Sequence, residues 1–194
     1  SIASPTTAGF FVTAGTIEMQ QNDVTDWESP PVITALADGR FFAVWSRNAD
    51  RDTVDVILRG RIFNANGTAS TGEFAVGNIT VNGSTLDCSD GFDTDNLIVH
   101  QLGNGNVVVG YTPNHDFTVP ASNQPYFSIY NPSITPGSAG FLVAADVRIN
   151  DQLSPPDAFS GPPVILPMAG SDGNFLAVYK QGGGNSAVMA RFYN

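Results

Sequence analysis

The chain contains 194 residues and carries a formal net charge of −10, because 18 acidic side chains outnumber 8 basic ones. This balance argues against nucleic-acid binding, which depends on clustered lysine and arginine side chains that displace counterions. The hydrophobic fraction of 42% and the charged fraction of 13% are typical of a folded globular chain rather than a disordered acidic segment. We therefore expect a single domain over residues 1–194.

Cysteine content and the length of the apolar runs restrict the class of protein further. Cys88 is the single cysteine, which excludes an internal disulfide and any metal site built from several cysteines. The apolar runs, such as residues 41–45 and 141–145, reach about five residues, whereas a membrane-spanning helix needs about 20. We expect no membrane insertion.

The distribution of turn-forming residues predicts an all-β fold. Short clusters of glycine, asparagine, aspartate and proline separate runs of β-branched and aromatic residues, a pattern typical of strands joined by tight turns. No stretch of a dozen residues shows the 3.6-residue periodicity of an amphipathic helix.

The first predicted unit begins with a hairpin over residues 31–45. Asp38 and Gly39 lie between two apolar runs, and this pair is typical of a two-residue type I′ turn, in which both residues have positive φ. In the second strand of the hairpin both alternating sets of side chains are apolar, which predicts burial on both faces. A third strand ends at Phe63 and Asn64, and a fourth is expected at residues 72–76.

Two further units repeat this pattern. Residues 97–111 and 163–179 align with the first hairpin, and a third strand ends in an aromatic residue followed by asparagine at residues 130–131 and 193–194. The second unit has its fourth strand at residues 139–145. Residues 1–14 match residues 133–145, so we expect the N-terminal segment, with Phe10, to pair beside the third unit's last strand. The three units then comprise residues 15–79, 80–145, and 146–194 with 1–14.

If the N-terminal strand pairs beside the last strand of the third unit, no sheet edge is left exposed. Three kinds of assembly meet this condition. Three four-stranded sheets around a pseudo-threefold axis form a small propeller or a prism. Two chains sharing a six-bladed ring are a second possibility. Donation of the N-terminal strand to the preceding subunit would instead produce a filament.

The repeat pattern resembles a known class of proteins. Residues 31–45 read P-x-V-x-x-L-x-D-G-x-F-x-V-W in outline, and they are followed by R-x-F-N-x-x-G at residues 61–67 and G-x-E-F-x-V at residues 72–76. This pattern is similar to repeats of large secreted bacterial surface proteins of the haemolysin-type calcium-binding, adhesin-like kind. The resemblance implies a β-propeller-like fold, export, and an extracellular or cell-surface location, with no catalytic residues to carry over.

A second resemblance concerns the hairpin at residues 172–179, which is similar to hairpins of monocot-type mannose-binding lectins with their three four-stranded sheets. The lectin motif Q-x-D-x-N-x-V-x-Y places all its polar residues on one face. Here the alternation of side chains puts Tyr179 on the opposite face of the strand from Asp172 and Asn174, and the glutamine of the motif is missing.

An acidic segment at residues 87–96 is the candidate metal site. Four carboxylates in nine residues provide oxygen ligands of the kind that calcium prefers, although their spacing does not match an EF-hand. A solvated connector between units is the alternative. The candidate calcium ligands are Asp87, Asp90, Asp93 and Asp95.

Aromatic residues are the candidate glycan-binding groups. Trp45, Tyr111 and Tyr179 recur once per unit, and core packing explains them better than sugar stacking. Residues in the connecting loops, and in or just beyond the insertion at residues 112–125, are better ligand candidates, because binding residues often lie on loops held by a scaffold. These candidates are Trp27, Phe92, Phe159, His115 and Tyr126.

Catalytic motifs are sparse in this sequence. His100 and His115 are the two histidines, and no nucleophile elbow precedes a helix. We therefore expect a non-catalytic extracellular module that binds a glycan or another cell-surface polymer, with calcium as its one possible cofactor. The alternative is a structural subunit of an extracellular filament or virion surface, assembled as a homo-oligomer (dimer or filament) through strand exchange or oligomer contacts.

Overall fold

The structure is a computed structural model, which describes residues 27–28, 30–48, 56–77, 80–81, 84–85, 97–112, 124–150, 163–170, 172–181 and 187–194. Within these residues it contains 14 strands and no helix, so the predicted all-β fold is confirmed. Accordingly, no membrane-spanning helix occurs in this part of the chain.

Three antiparallel sheets follow one another along the chain, in the order of the three predicted units. Sheet 1 contains β1 (Trp27–Glu28), β2 (Val32–Ala35), β3 (Phe41–Asn48), β4 (Val56–Phe63) and β5 (Phe74–Ala75). Sheet 2 contains β8 (Leu97–Gln101), β9 (Val107–Tyr111), β10 (Tyr126–Tyr130) and β11 (Leu142–Arg148), and sheet 3 contains β12 (Val164–Pro167), β13 (Phe175–Gln181) and β14 (Ala187–Tyr193). A separate pair consists of β6 (Thr80–Val81) and β7 (Ser84–Thr85).

Each sheet is a meander in which neighbouring strands in sequence pair with one another. The five strands of sheet 1 occupy four positions across the sheet, because β1 and β2 both pair with the same edge of β3. Sheet 2 runs in the order β11-β10-β9-β8 and sheet 3 in the order β12-β13-β14. The predicted fourth strand at residues 1–14 lies outside the described residues, so its pairing with β14 stays a prediction, as do the unit boundaries.

The hairpin turns differ from the predicted type. Gly39 N–H donates to the Leu36 carbonyl at 2.9 Å, while Leu36 N–H donates to the Arg40 carbonyl at 2.8 Å. Of the predicted pair, Gly39 has positive φ (88°) and Asp38 does not. The connection is therefore a three-residue loop with a glycine bulge, and the prediction of a two-residue type I′ turn is wrong.

The second and third hairpins show how far the loop can vary. The second hairpin repeats the first loop: Leu102 N–H donates to the Asn106 carbonyl at 2.7 Å, and Gly105 N–H donates to the Leu102 carbonyl at 2.9 Å. In the third hairpin Met168 N–H donates to the Asn174 carbonyl at 2.9 Å, so the loop is longer and covers residues 169–173.

The sheets stack face to face, and the central strands β3, β9 and β13 define the two faces. We call the face of their odd-numbered residues the odd face and the opposite one the even face. The even face of sheet 1 packs against the odd face of sheet 2, and the even face of sheet 2 packs against the odd face of sheet 3. Sheet 2 is consequently the middle layer of the stack.

The recurring aromatic residues lie on the odd faces. Trp45 and Tyr111 are 1% exposed, and Tyr179 is 5% exposed. Their assignment to the core rather than to a stacking surface for sugars is thereby confirmed. The prediction that the central strands are buried on both faces holds for β3 and β9, whereas Leu176 and Val178 of β13 are only half-buried.

His100 lies on the even face of sheet 2, opposite Val108 of β9. Burial lowers the pKa of this imidazole below its usual value of 6.5, because removal from water disfavours the charged form. The folded protein therefore binds a proton at His100 less readily than the unfolded chain does.

Because of His100, acidification is expected to lower the free energy of unfolding of the protein. As the pH falls through about 6.5, the unfolded state takes up the proton first, and the free energy of unfolding decreases until the folded-state pKa is also passed. Urea denaturation at pH values of about 7.5 and 5.5 measures this loss. The variant His100→Gln should show a weaker pH dependence than the native chain, and identical dependence in both would contradict the expectation.

Candidate functional site

A bulge in the edge strand of sheet 2 is the most unusual backbone feature of the described residues. Between β10 and β11, Phe127 pairs with Val147 and Ile129 pairs with Ala144. Ser128 therefore faces two residues, Ala145 and Asp146, which is the arrangement of a β-bulge. Bulges are frequent beside functional sites because they redirect a side chain.

Asp146 adopts a strained conformation within this bulge. Its φ of 46° is the only positive value recorded for a non-glycine residue in the described part of the chain. Aspartate enters this left-handed region more readily than most residues, but a cost remains, and such strain is concentrated at functional sites. The strain thus marks Asp146 as the centre of a candidate site.

Two hydroxyl groups hold the Asp146 carboxylate. The Tyr111 hydroxyl donates a short hydrogen bond to Oδ1, and the Ser128 hydroxyl lies 3.4 Å from the same oxygen. The Ser128 Oγ also accepts the Asp146 backbone N–H at 3.0 Å and lies 3.0 Å from the Tyr111 hydroxyl oxygen. Ser128 therefore fixes both the backbone and the side chain of Asp146.

The buried phenols of this cluster remain protonated at neutral pH. Burial raises the pKa of Tyr111 well above its usual value, and the negative charge of Asp146 raises it further. Burial also raises the pKa of Tyr130 to about 12, and the Tyr130 hydroxyl accepts the backbone N–H of Gly77 at 3.1 Å. Tyr111 consequently acts as a hydrogen-bond donor to the carboxylate.

Tyr126 and Arg148 extend the cluster along the sheet edge. Tyr126 pairs with Tyr111 on one side and with Arg148 on the other, and the rings of the two tyrosines are stacked with centroids 6.3 Å apart. Burial raises the pKa of Tyr126, with an opposing effect of the Arg148 charge. Asp146 and Arg148 are both half-buried and lie two residues apart in β11, and the Arg148 Nε donates to the Asn150 carbonyl at 3.0 Å.

Removal of the Tyr111 hydroxyl should destabilise the protein. We expect Tyr111→Phe to lower the free energy of unfolding by about 1–3 kcal/mol, because the carboxylate loses a buried partner. Tyr179→Phe is the matched control, since Tyr179 occupies the equivalent position in sheet 3 and lies outside this cluster. Urea denaturation of both variants measures the difference, and equal losses would show that the hydrogen bond to Asp146 contributes nothing.

Most of the predicted ligand residues lie outside the described residues. This applies to Phe92, Phe159 and His115. Trp27 lies in β1, where it pairs with Asn48. Tyr126 lies in β10 rather than in a loop, and it is 6% exposed. Its ring is therefore a buried part of the cluster and is not offered to solvent.

The predicted calcium site also lies outside the described residues. This holds for all four candidate ligands, Asp87, Asp90, Asp93 and Asp95. Among the residues that the structure does describe, no group of three or more histidine, cysteine, aspartate or glutamate side chains is placed to hold a metal ion. Calcium binding at residues 87–95 stays a prediction.

Asp146 is absent from the candidates that the sequence suggests, although a signal is present. The sequence predicts that the fourth strand ends at Ala145, whereas β11 continues to Arg148. Aspartate is disfavoured inside strands, so an aspartate within a continuous strand indicates a special local role. Its partners Tyr111 and Ser128 lie 35 and 18 residues away, and only the strand pairing brings them together.

Comparison with known proteins yields one structural similarity of note. No protein-family model matches this sequence, and no curated protein matches it. Among solved structures, the chain is similar to the endo-arabinase from Bacteroides thetaiotaomicron VPI-5482, with 13% identity and a TM-score of 0.44. The similarity covers 86% of this chain and 57% of that one, so this chain spans less than two thirds of the enzyme's length.

The expectation that the chain is not an enzyme is corrected by this comparison, because the similar structure is that of an enzyme, and we withdraw the expectation. At this identity and TM-score, the similarity assigns neither a substrate nor a reaction. The resemblance to surface-protein repeats stays a prediction, and the structure itself establishes, for the residues it describes, an all-β arrangement with three main antiparallel sheets.

Proposed function

We propose that the chain binds a carbohydrate at the β11 edge of sheet 2, through Asp146 and Arg148. The observation that carries the proposal is the strained Asp146, whose carboxylate is held by the Tyr111 and Ser128 hydroxyls. A carboxylate accepts hydrogen bonds and a guanidinium donates them. Neighbouring hydroxyl groups of a sugar can form hydrogen bonds with both groups, in addition to the bonds these groups make within the protein.

Preorganisation supports this use of the cluster. Ligand sites place a few fixed polar groups in a largely preformed setting, and the buried, stacked rings of Tyr111 and Tyr126 support the polar groups here. Because Asp146 is fixed before a ligand arrives, binding costs less conformational entropy than it would with a mobile side chain.

The net charge favours a neutral sugar polymer as the ligand. The chain carries a formal charge of −10, and like charges would repel a polyuronate from its surface. We therefore expect neutral polysaccharides to bind more tightly than acidic ones. An extracellular location, which the resemblance to surface-protein repeats implies, would bring the site to such polymers.

Titration calorimetry with a panel of soluble polysaccharides tests the proposal. The panel contains arabinan, xylan and galactomannan as neutral polymers, and polygalacturonate and alginate as acidic ones. Asp146→Asn preserves the size of the side chain and its tolerance of positive φ, but removes the charge. We expect this variant to lose at least about tenfold in affinity, a step of about 1.4 kcal/mol.

Asp172→Asn is the matched control, because Asp172 is exposed in the third hairpin loop and the change in net charge is the same. It should bind as the native chain does. Circular dichroism confirms that both variants are folded, and reducing-end release is measured alongside binding to detect cleavage. Absence of binding to every polymer, or unchanged affinity in Asp146→Asn, would refute the proposal.

A further inference from the structure

Two hydrogen-bond donors lie side by side on the odd face of sheet 1. Trp45 of β3 pairs with Arg59 of β4, and directly opposite residues of an antiparallel pair share a face with their Cβ atoms about 4.5–5.5 Å apart. Trp45 is 1% exposed and Arg59 is half-buried. The indole and the guanidinium therefore belong to one largely covered region of this face.

Neither donor has an acceptor among the residues that the structure describes. Trp45 Nε1 and Arg59 Nε are both buried atoms, and neither makes a hydrogen bond there. An indole N–H and a guanidinium can only donate, and a buried donor without an acceptor destabilises the folded state. Because such donors are rare in folded proteins, two of them at paired positions indicate a site for an acceptor.

The charge of Arg59 decides the class of acceptor. A guanidinium stays protonated in proteins, and burial of a charge without a counter-charge is unfavourable. No ion pair joins Arg59 to a carboxylate of the described residues. A neutral acceptor would satisfy the indole but would leave this charge uncompensated, whereas an anion meets both requirements.

The other charged groups nearby are placed differently from Arg59. The Arg61 guanidinium lies over the Phe63 ring, 5.4 Å from its centroid, and its Nε donates to the Thr71 carbonyl at 3.1 Å. Glu73 precedes β5 and falls level with Arg61, whereas Arg59 is opposite the uncharged Ala75. In the described part of this face, Arg59 is therefore the cation that a ligand can use.

We propose that Trp45 and Arg59 bind an oxyanion, the carboxylate or phosphate group of a small ligand, on the odd face of sheet 1. The guanidinium offers two parallel N–H groups that match two oxygens of such a group, and the indole N–H supplies a third donor. The formal charge of −10 does not attract anions to the chain in general, so the affinity has to come from these two side chains. The site is separate from the proposed carbohydrate site, which lies on β11 of sheet 2.

Nuclear magnetic resonance of the indole N–H groups tests the proposal on the native chain. Trp27 and Trp45 are its two tryptophans, so the isotope-labelled protein gives two indole signals, which Trp45→Phe assigns. Phosphate and acetate are titrated separately, with chloride keeping the ionic strength constant so that screening does not change. We expect at least one anion to shift the Trp45 signal saturably, with a dissociation constant on the order of 1 mM, while the Trp27 signal stays in place.

A matched pair of arginine variants locates the anion. Arg59→Gln should weaken binding at least about tenfold, because it removes both the charge and the paired N–H groups. Arg40→Gln makes the same change in charge at a residue that forms an ion pair with Asp38 at 2.7 Å, and it should bind as the native chain does. Arg59→Lys keeps the charge and serves as the second test if Arg59→Gln does not fold; it should also bind more weakly, because an ammonium group lacks the planar fork.

The two anions also distinguish the source of the oxyanion, since a response to phosphate alone supports a phosphorylated ligand and a response to acetate alone supports an organic acid. Three outcomes would overturn the proposal. A Trp45 signal that moves with neither anion would mean that water or a group of the chain itself takes up the two donors. Equal shifts of both tryptophan signals would show a general salt effect. Undiminished affinity in the Arg59 variants would place the anion elsewhere.

Discussion

Replacement of Phe42 by alanine is expected to lower the free energy of unfolding by about 3–5 kcal/mol. The ring is fully buried between sheets 1 and 2. It contacts Phe74 edge-on and Tyr130 at a tilt, with centroids 5.6 and 6.0 Å away. Truncation removes apolar surface and leaves a cavity that these rings cannot fill. Urea denaturation followed by tryptophan fluorescence measures the loss.

Leu176→Ala is the internal control for this prediction, because Leu176 occupies the position of Phe42 in the third unit. Its side chain is half-buried, and none of the sheets within the described residues covers it. We expect a loss of about 1 kcal/mol or less. Comparable losses in the two variants would mean that the even face of sheet 3 is covered after all.

Gly60→Ala should have the second large effect, a loss of about 1–3 kcal/mol from overpacking. A Cβ atom at this position would lie 2.6 Å from Cε2 of Phe74 and 2.7 Å from Cγ2 of Val76. The Phe74 ring is itself held edge-on against Phe141, with centroids 4.9 Å apart. It therefore has little freedom to move away from a new methyl group.

Gly72→Ala provides the control for the Gly60 variant. A Cβ atom at Gly72 would meet nothing within 4 Å, and its backbone does not have positive φ. Alanine there should be neutral or should stabilise by up to about 1 kcal/mol, because it restricts the unfolded chain. Thermal unfolding of the two variants gives the comparison. A destabilised Gly72→Ala would indicate that backbone freedom, rather than contact with Phe74, explains the effect at Gly60.

The hairpins show where prediction from the sequence succeeds and where it fails. The strands on either side of Gly39 and Gly105 follow from local alternation of apolar residues, which depends on neighbours in the chain. The predicted turn type is wrong because the loop is closed by a hydrogen bond from Leu36 N–H to the Arg40 carbonyl, with Gly39 N–H donating to the Leu36 carbonyl. A preference for Asp-Gly does not specify which residues form the closing pair.

The candidate site shows a deeper limit. The unusual feature of Asp146 is its φ of 46°, which follows from a register shift between β10 and β11. Such a shift depends on how two separate strands pair, and no local pattern around Asp146 encodes it. Repeat alignment placed Tyr111 correctly in the core, but it contained no information about a bond to a residue in a different strand.

The sequence by itself determined the hairpins and third strands of the three sheets and their order in the chain, because alternation and turn residues act over a few positions. Only the tertiary structure decided which faces are covered. Leu176 and Val178 are as apolar as Phe42 and Val44, yet the first pair is half-exposed and the second is fully buried. Burial requires a second sheet on that side, and the presence of that sheet is a property of the whole molecule rather than of the strand.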